Sequence, residues 1–317
     1  MRGEATAVAD PELYVVTGAF GYTGRYITRS LVEGGIRVKT LTGHPGRENP
    51  FGEAVSVAPF CFDDPEELIK SVQGASTFIN TYWVRFAYGQ VTYDRAVANT
   101  RTMIKAAAKA GVRRWVQVST ANPSPDSKLP YFKGKALLEQ EVASCRMSYA
   151  IVRPTVIFGR GDILINNIAW ALRRFPLFPV PGSGAYKIQP VYVEDLAEIT
   201  VRAALDTEDL VIDAVGPETF TFDELVRLIR KRIGSKARII HLDPGLAMRF
   251  YGLAGRVVQD VVLTRDEIDG LMAGLLVSAQ PPRGRTHFSG WLAENAATVG
   301  TVYASELVRH YRQPPSP

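Results

Sequence analysis

Residues 17–25 read Thr17-Gly18-Ala19-Phe20-Gly21-Tyr22-Thr23-Gly24-Arg25, a GxxGxxG spacing closed by a basic residue. The stretch before it, Leu13–Thr17 (LYVVT), is apolar and rich in β-branched residues, which predicts a buried strand. The stretch after it, 22–34, alternates apolar and polar residues at helical period and stops at Gly34-Gly35. Between a strand and a helix the three glycines have separate roles. Gly18 permits the tight turn, Gly21 lets backbone amides approach an anion, and Gly24 lets the helix pack on the sheet. The helix start adds unpaired N–H groups and the positive end of its dipole. Together Gly18, Phe20, Gly21, Tyr22, Thr23 and Gly24 are expected to cradle the pyrophosphate of a dinucleotide.

Outward from this turn, strands are predicted at 38–42, 54–62, 76–80, 114–119 and 149–153, and helices near 65–72, 94–110 and 131–144. Asp64 is a plausible N-cap, with Pro65 in the first turn after it. Single apolar strands alternating with helices imply an α/β fold with a parallel sheet covered on both faces, and right-handed crossovers make it doubly wound. Past Pro154 the texture changes. Prolines and aromatics cluster in 175–190, read as an irregular segment beside the sheet edge. A helix capped by Glu194-Asp195 follows to about residue 205, then a helix at 222–234, a strand at 238–242, and helices at 245–258, 265–277 and 298–312. Residues 1–160 are therefore expected to form the dinucleotide-binding Rossmann unit, its sheet completed by parts of 188–215. Residues 161–317 are expected to form a smaller, mostly helical substrate lobe over the strands' C-terminal edges.

Composition narrows the function classes. Among 317 residues, 37 Lys and Arg stand against 32 Asp and Glu, a net charge of +5. No basic run or basic–aromatic interleaving accompanies that excess, so neither nucleic acid nor a membrane surface is expected as partner. Cys61 and Cys145 are too few for a disulfide scaffold, and His44, His241, His287 and His310 lack metal-ligand spacing. The opening MRGEATAVADPELY has no apolar signal core. No apolar run is long enough for a bilayer of ~30 Å. A cytoplasmic location is the simplest expectation.

The choice of dinucleotide rests on the end of the second strand. An acid ~20 residues beyond the glycines would hold the ribose 2′-hydroxyl of NAD. Here the chain reads Thr40-Leu41-Thr42-Gly43-His44-Pro45-Gly46-Arg47, with no acid before Glu48. Arg25, His44 and Arg47 suit a 2′-phosphate instead, so NADP(H) is expected over NAD(H). Asp63 follows the third strand, where it could bond an adenine amino group or serve as a cap. Asn80 ends the fourth strand beside the cofactor.

Ser119 ends the fifth strand, and Tyr131-Phe132-Lys133-Gly134-Lys135 follows as YxxxK. Tyrosine and lysine at i and i+4 share a helix face, where an ammonium can lower the phenol pKa and hold the nicotinamide ribose. A strand-end serine can orient a carbonyl or alcohol. Taken with TGAFGYTGR, GASTFINTYW, AGVRRWVQVST, the 149–162 segment and IQPVYVEDLAEITVRAAL, these features resemble the short-chain dehydrogenase/reductase superfamily over about residues 12–245. The 149–162 and IQPVYVEDLA segments are similar to patterns of NAD(P)-dependent epimerase/dehydratase-like proteins. The resemblance implies Ser119, Tyr131 and Lys135 as a catalytic set, Asn99 as a fourth member organising a water relay, and Pro154 and Val156 bordering the nicotinamide. Arg25 directly after the glycines, and the short Ser119-to-Tyr131 spacing, resemble an atypical branch. That branch includes NmrA-type regulators and an accessory subunit of respiratory complex I, several of which bind cofactor without turnover. The missing insertion between serine and tyrosine counts against a sugar-nucleotide epimerase.

Tyr82, Trp83 and Arg85 follow the fourth strand and are expected to wall a pocket for an aromatic or apolar substrate, with Arg85 pairing an acid group. Asn166, Asn167 and Trp170 are expected on the opposite wall. The C-terminal helices around Trp291 are expected to pack on the lobe or to pair two copies as a homodimer. The main expectation is an NADP(H)-dependent oxidoreductase acting on a small carbonyl or alcohol, with Tyr131 as general acid/base. The alternative is a non-catalytic NAD(P)-binding redox sensor or assembly subunit, and lesser ones are an epimerase/dehydratase or a double-bond reductase.

Overall fold

The computed structural model describes residues 12–311. The N-terminal stretch read for a leader, residues 1–11, and the 312–317 end lie outside the described residues. Strands β1 (Leu13–Thr17), β2 (Arg37–Thr42), β3 (Val55–Pro59), β4 (Ala75–Asn80), β5 (Arg114–Val118) and β6 (Ser148–Pro154) join the strand Leu210–Ala214 in one seven-stranded sheet. The order is 210–214, β6, β5, β4, β1, β2, β3, and every neighbouring pair is parallel. The chain runs outward from β1 to β3 and returns at β4, so the order reverses between β1 and β4. Ligands of such sheets bind in the crevice outside the carboxyl ends of the strands at that reversal.

The helices α1 (Tyr22–Glu33), α2 (Pro65–Val72), α3 (Tyr93–Lys109), α4 (Pro130–Ser144), α5 (Leu164–Arg174) and α6 (Val193–Leu205) follow the strands. Strand side chains alternate between the two faces. Tyr14, Val16 and Val116 pack with Ile27 and Leu31 of α1 and Leu196 of α6, whereas Val15, Phe78 and Trp115 pack with Leu68, Met103 and Val142 of α2, α3 and α4. Asp64 caps α2 by accepting from the Glu67 amide, and Pro65 begins the helix.

Beyond β6 several expectations change. The 175–190 segment is not irregular: Leu177–Pro181 pairs in parallel with Arg238–Leu242, and Lys187–Ile188 pairs antiparallel with Phe220–Thr221. Those partners lie far along the chain, beyond the reach of a local pattern. Glu194-Asp195 does not cap α6, whose start at Tyr192 has no side-chain cap. Asp195 instead accepts from the amides of Arg285 and Thr286 and from the Thr286 hydroxyl. The helix expected over 265–277 stops at Met272, where Gly274 turns the chain at φ +70°. Residues 298–306 form turns and extended chain, and only Leu307–Tyr311 makes a single wide helical turn. Helix Phe288–Asn295 escaped the sequence reading. It buries Phe288, Trp291 and Leu292 in a second core with Phe158, Phe178 and Leu225.

The glycine turn is as tight as its spacing suggests. Gly18 has φ +65°, and a Cβ built on Gly24 would stand 2.2 Å from the Gly18 carbonyl oxygen. Gly24→Ala is expected to destabilise the fold by about 3 kcal/mol, the upper end of the overpacking range, as read by urea unfolding. An unchanged midpoint would show that α1 can retreat from the turn.

Candidate functional site

A chain of buried hydrogen bonds fixes the sheet edge at the reversal. The Thr17 hydroxyl donates to Asn80 Oδ1 (2.9 Å) and accepts from the amides of Thr81 (2.8 Å) and Tyr82 (2.9 Å). Asn80 Nδ2 donates to Gln117 Oε1 (3.1 Å), which also accepts from the Trp115 indole (3.2 Å). Asn80, expected beside the cofactor, thus uses both ends of its amide inside the sheet edge.

The glycine turn and the start of α1 make a cradle open to an anion. Helix α1 has no side-chain cap and no acid in its first turn. At its start, the buried Arg25 Nε and Tyr22 hydroxyl have no hydrogen-bond partner among the described residues, which leaves them available to a bound polar group. Phe20 stacks on Phe51 at 6.5 Å, and Thr23 lies half-buried in the first turn. Phe60, Phe62 and Tyr82 form an aromatic cluster at the ends of β3 and β4, with centroids 4.8–5.6 Å apart, an apolar wall suited to a nucleobase.

The three cations expected around a 2′-phosphate are divided. His44 and Arg47 share the end of β2, where the Arg47 amide donates to the His44 carbonyl (3.1 Å). Burial, and then the Arg47 charge, hold the His44 pKa below its usual value. Arg25 instead lies along α1, its guanidinium 5.7 Å from the Tyr26 ring centroid and directed toward Gly161. Asp63 is exposed, and capping falls to its neighbour Asp64.

Tyr131 and Lys135 share one face of α4, but a tryptophan stands over them. The Trp83 ring lies 4.6 Å from Lys135 Nζ and meets the Tyr131 ring edge-on at 5.9 Å. It is accommodated by Gly134, where a Cβ would fall 2.7 Å from the indole. Lys135 Nζ donates to the Val118 carbonyl (2.8 Å). Burial lowers its pKa to about 7, against an opposing pull from Glu139. Burial first, and then the Glu267 charge, push the Tyr131 phenol up to about 12, although a hydrogen bond with Thr120 works the other way. Ser119 donates to the Glu139 carboxylate, which Arg153 clamps through Nε (3.0 Å) and Nη2. Asn99 donates to the Tyr82 hydroxyl (2.9 Å).

The sequence reading missed Glu139 and Arg153. The signal for Glu139 was present, because Tyr131, Lys135 and Glu139 fall at i, i+4 and i+8 on one helix face.

The expected pocket walls serve largely as attachments. Arg85 is paired to Glu267 (2.6 Å) and Glu306 (3.7 Å) and donates to the Val262 carbonyl, so its charge is already matched. Asn166 bonds Val302 and Gly300, Asn167 bonds Ala304 twice, and Trp170 packs on Tyr303 at 5.0 Å. Pro154 is the last residue of β6, and Val156 follows it. Their carbonyls accept from the amides of Ala121 and Val191, and the Val156 side chain enters the second core.

Residues 14–213 match the model of the NAD dependent epimerase/dehydratase family. The chain is 27% identical over 284 residues to the mitochondrial NADH dehydrogenase 1 alpha subcomplex subunit 9 of Arabidopsis thaliana, covering 83% of this chain and 70% of that one. It is 28% identical over 236 residues to the ceramide reductase of Caulobacter vibrioides, covering 73% and 74%. It spans only 62% and 55% of the Dictyostelium discoideum and Mus musculus counterparts of the Arabidopsis subunit. The triphenylmethane reductase of Citrobacter sp., solved with NADP(H), has the same fold at TM-score 0.73, with 19% identity over 89% of this chain and 99% of that one. The cytoplasmic expectation is corrected by these relatives, since the subunit 9 proteins are all named as mitochondrial. No helix among the described residues is long and apolar enough to cross a membrane.

The buried Lys135 gives the fold a pH signature. Its proton leaves near pH 7 in the native state, but near ~10.4 in the unfolded chain. Between those values the unfolded state binds more protons, so stability rises with pH by up to ~1.4 kcal/mol per unit. Denaturant unfolding from pH 7 to 10 should show that rise in the native protein and its loss in Lys135→Met. Parallel curves would refute it.

Proposed function

The chain belongs to the NAD dependent epimerase/dehydratase family, and from that premise we propose that it is a nicotinamide-dinucleotide-binding protein that holds its cofactor without turning over a substrate. One observation carries this reading: the serine, tyrosine and lysine of the expected catalytic set are engaged elsewhere. Ser119 is tied into the Glu139–Arg153 clamp, and Trp83 roofs Lys135 and Tyr131. A dinucleotide would lie with its pyrophosphate at Gly18–Gly24 and its adenine end toward Phe60, Phe62 and Tyr82. When bound, the cofactor would supply a redox-sensitive nicotinamide. The protein's own residues bind and orient it. NADP(H) is favoured because His44 and Arg47 stand at the end of β2 with no acid before Glu48. The likeness to a complex I subunit supports a place in a larger assembly as the partner, with a homodimer as the smaller alternative.

A second reading keeps the protein an oxidoreductase acting on a small apolar carbonyl or alcohol, with Tyr131 as general acid/base. It is favoured by a buried lysine that titrates near pH 7 on the tyrosine's own helix face and by relatives named as reductases.

The two readings separate in one set of measurements. NADPH fluorescence titration should show binding that weakens at least tenfold in Arg47→Ala, with NADH weakened less than NADPH. Bound NADPH should stay reduced when challenged with aromatic and aliphatic ketones and aldehydes. NADPH oxidation that disappears in Tyr131→Phe would replace the first reading by the second. No binding of either dinucleotide would end both.

A further inference from the structure

We propose that Arg309, carried on the segment 304–311, is a phosphate-binding residue of the dinucleotide site, and that this segment is a strap closing over the cofactor's pyrophosphate. The inference rests on the dinucleotide reading above and deepens it.

The strap is held on both sides of the crevice. On the lobe side, Asn167 exchanges two hydrogen bonds with Ala304 (both 2.9 Å), and the Asp260 carboxylate accepts from the amides of Glu306 (2.8 Å) and Leu307 (3.1 Å). On the sheet side, the Tyr311 hydroxyl donates to the Phe86 carbonyl (2.7 Å), and the two rings stack at 5.2 Å. Arg47, at the end of β2, donates to the Arg309 carbonyl (3.1 Å). These attachments place the Arg309 guanidinium 6.0 Å from the ring centroid of Tyr22, the first residue of α1 after the glycine cradle.

Two cations converge at that point. Arg309 and Arg25 are near enough to repel, and both stand beside the positive end of α1. The acids that face Arg309 are Asp162 and Glu306. Asp162 accepts from the amides of Ile165 (2.7 Å) and Asn166 (3.1 Å), and Glu306 faces the half-buried Arg85 (3.7 Å). Inside this cluster the Arg25 Nε and the Tyr22 hydroxyl are buried without partners among the described residues. Unpartnered donors and converging guanidinium groups at a helix start are complementary to a phosphodiester pair. The pyrophosphate is common to NADPH and NADH, whereas the 2′-phosphate belongs to NADPH alone.

The test measures binding of NADPH and NADH by fluorescence titration in the full chain, with Arg309→Ala, Arg309→Lys and Tyr311→Phe compared with the native protein. Arg309→Ala should weaken both dinucleotides about tenfold or more, Arg309→Lys less, and Tyr311→Phe should weaken both by loosening the strap without removing charge. Both dinucleotides should also slow trypsin cleavage after Arg309 in the native chain, a readout that does not depend on any variant folding. Binding within twofold of native in Arg309→Ala overturns the proposal, as does failure of both dinucleotides to protect the strap. A loss confined to NADPH overturns it too, by moving the guanidinium to the 2′-phosphate. In each of these cases the native protein still binds dinucleotide and the reading above stands. If the native protein binds neither dinucleotide, that reading has failed and takes the strap with it.

Discussion

One buried hydroxyl, that of Thr17, holds the sheet edge to which everything functional is attached. It donates to Asn80 and accepts from two amides of the following loop, while Asn80 passes the connection to Gln117 on β5. A buried polar group left without a partner costs about 1–3 kcal/mol, so each link holds its neighbours in register. The glycine turn leaves from β1 beside this chain, the Tyr82–Trp83 loop from β4, and the Ser119–Thr120 corner from β5. Their relative positions follow from three side chains hydrogen-bonded within the sheet edge.

The crevice so defined is furnished mostly from within. The loop after β4 sends Trp83 back over α4, into a space that Gly134 leaves free. Arg85, two residues on, is half-buried between the Glu267 and Glu306 carboxylates. A cation drawn out of water needs matched partners far more than an exposed one does, and Arg85 meets that need by tying the loop after β4 to Glu267, Glu306 and Val262. The same economy appears at Glu139, where Ser119 and Arg153 share one carboxylate. The polar residues of the crevice thereby stiffen the cofactor site and leave few side chains free for reaction.

How much was legible in sequence depended on the distance over which each feature is encoded. The strand–turn–helix at residues 13–33, the Asp64 cap and the alternation of strands and helices that implies a parallel sheet all follow from neighbours in the chain, and they stand as read. The pairing of Leu177–Pro181 with Arg238–Leu242 does not, because Leu177–Pro181 looks like loop until its distant partner is known. The same holds within the site. Tyr131 and Lys135 are visible as an i, i+4 pair, but that Trp83 covers them depends on a loop folding across from another strand. Asn166, Asn167 and Trp170 looked like pocket lining because polar and aromatic groups on a helix face are equally suited to bind a ligand or a distant piece of chain. Here they bind residues 300–304.

The attachments of the segment near residue 309 have a consequence for how the molecule assembles itself. Arg47 meets it across 262 residues and Phe86 across 225. Contacts of such separation carry the greatest loop-closure entropy and add little until the units they join have formed. The sheet, whose pairings are much shorter in sequence, can be complete before residues 304–311 are synthesised, since domains fold as units during synthesis. The contacts of that segment with Arg47 and Phe86 are thus made onto a sheet that has already taken shape.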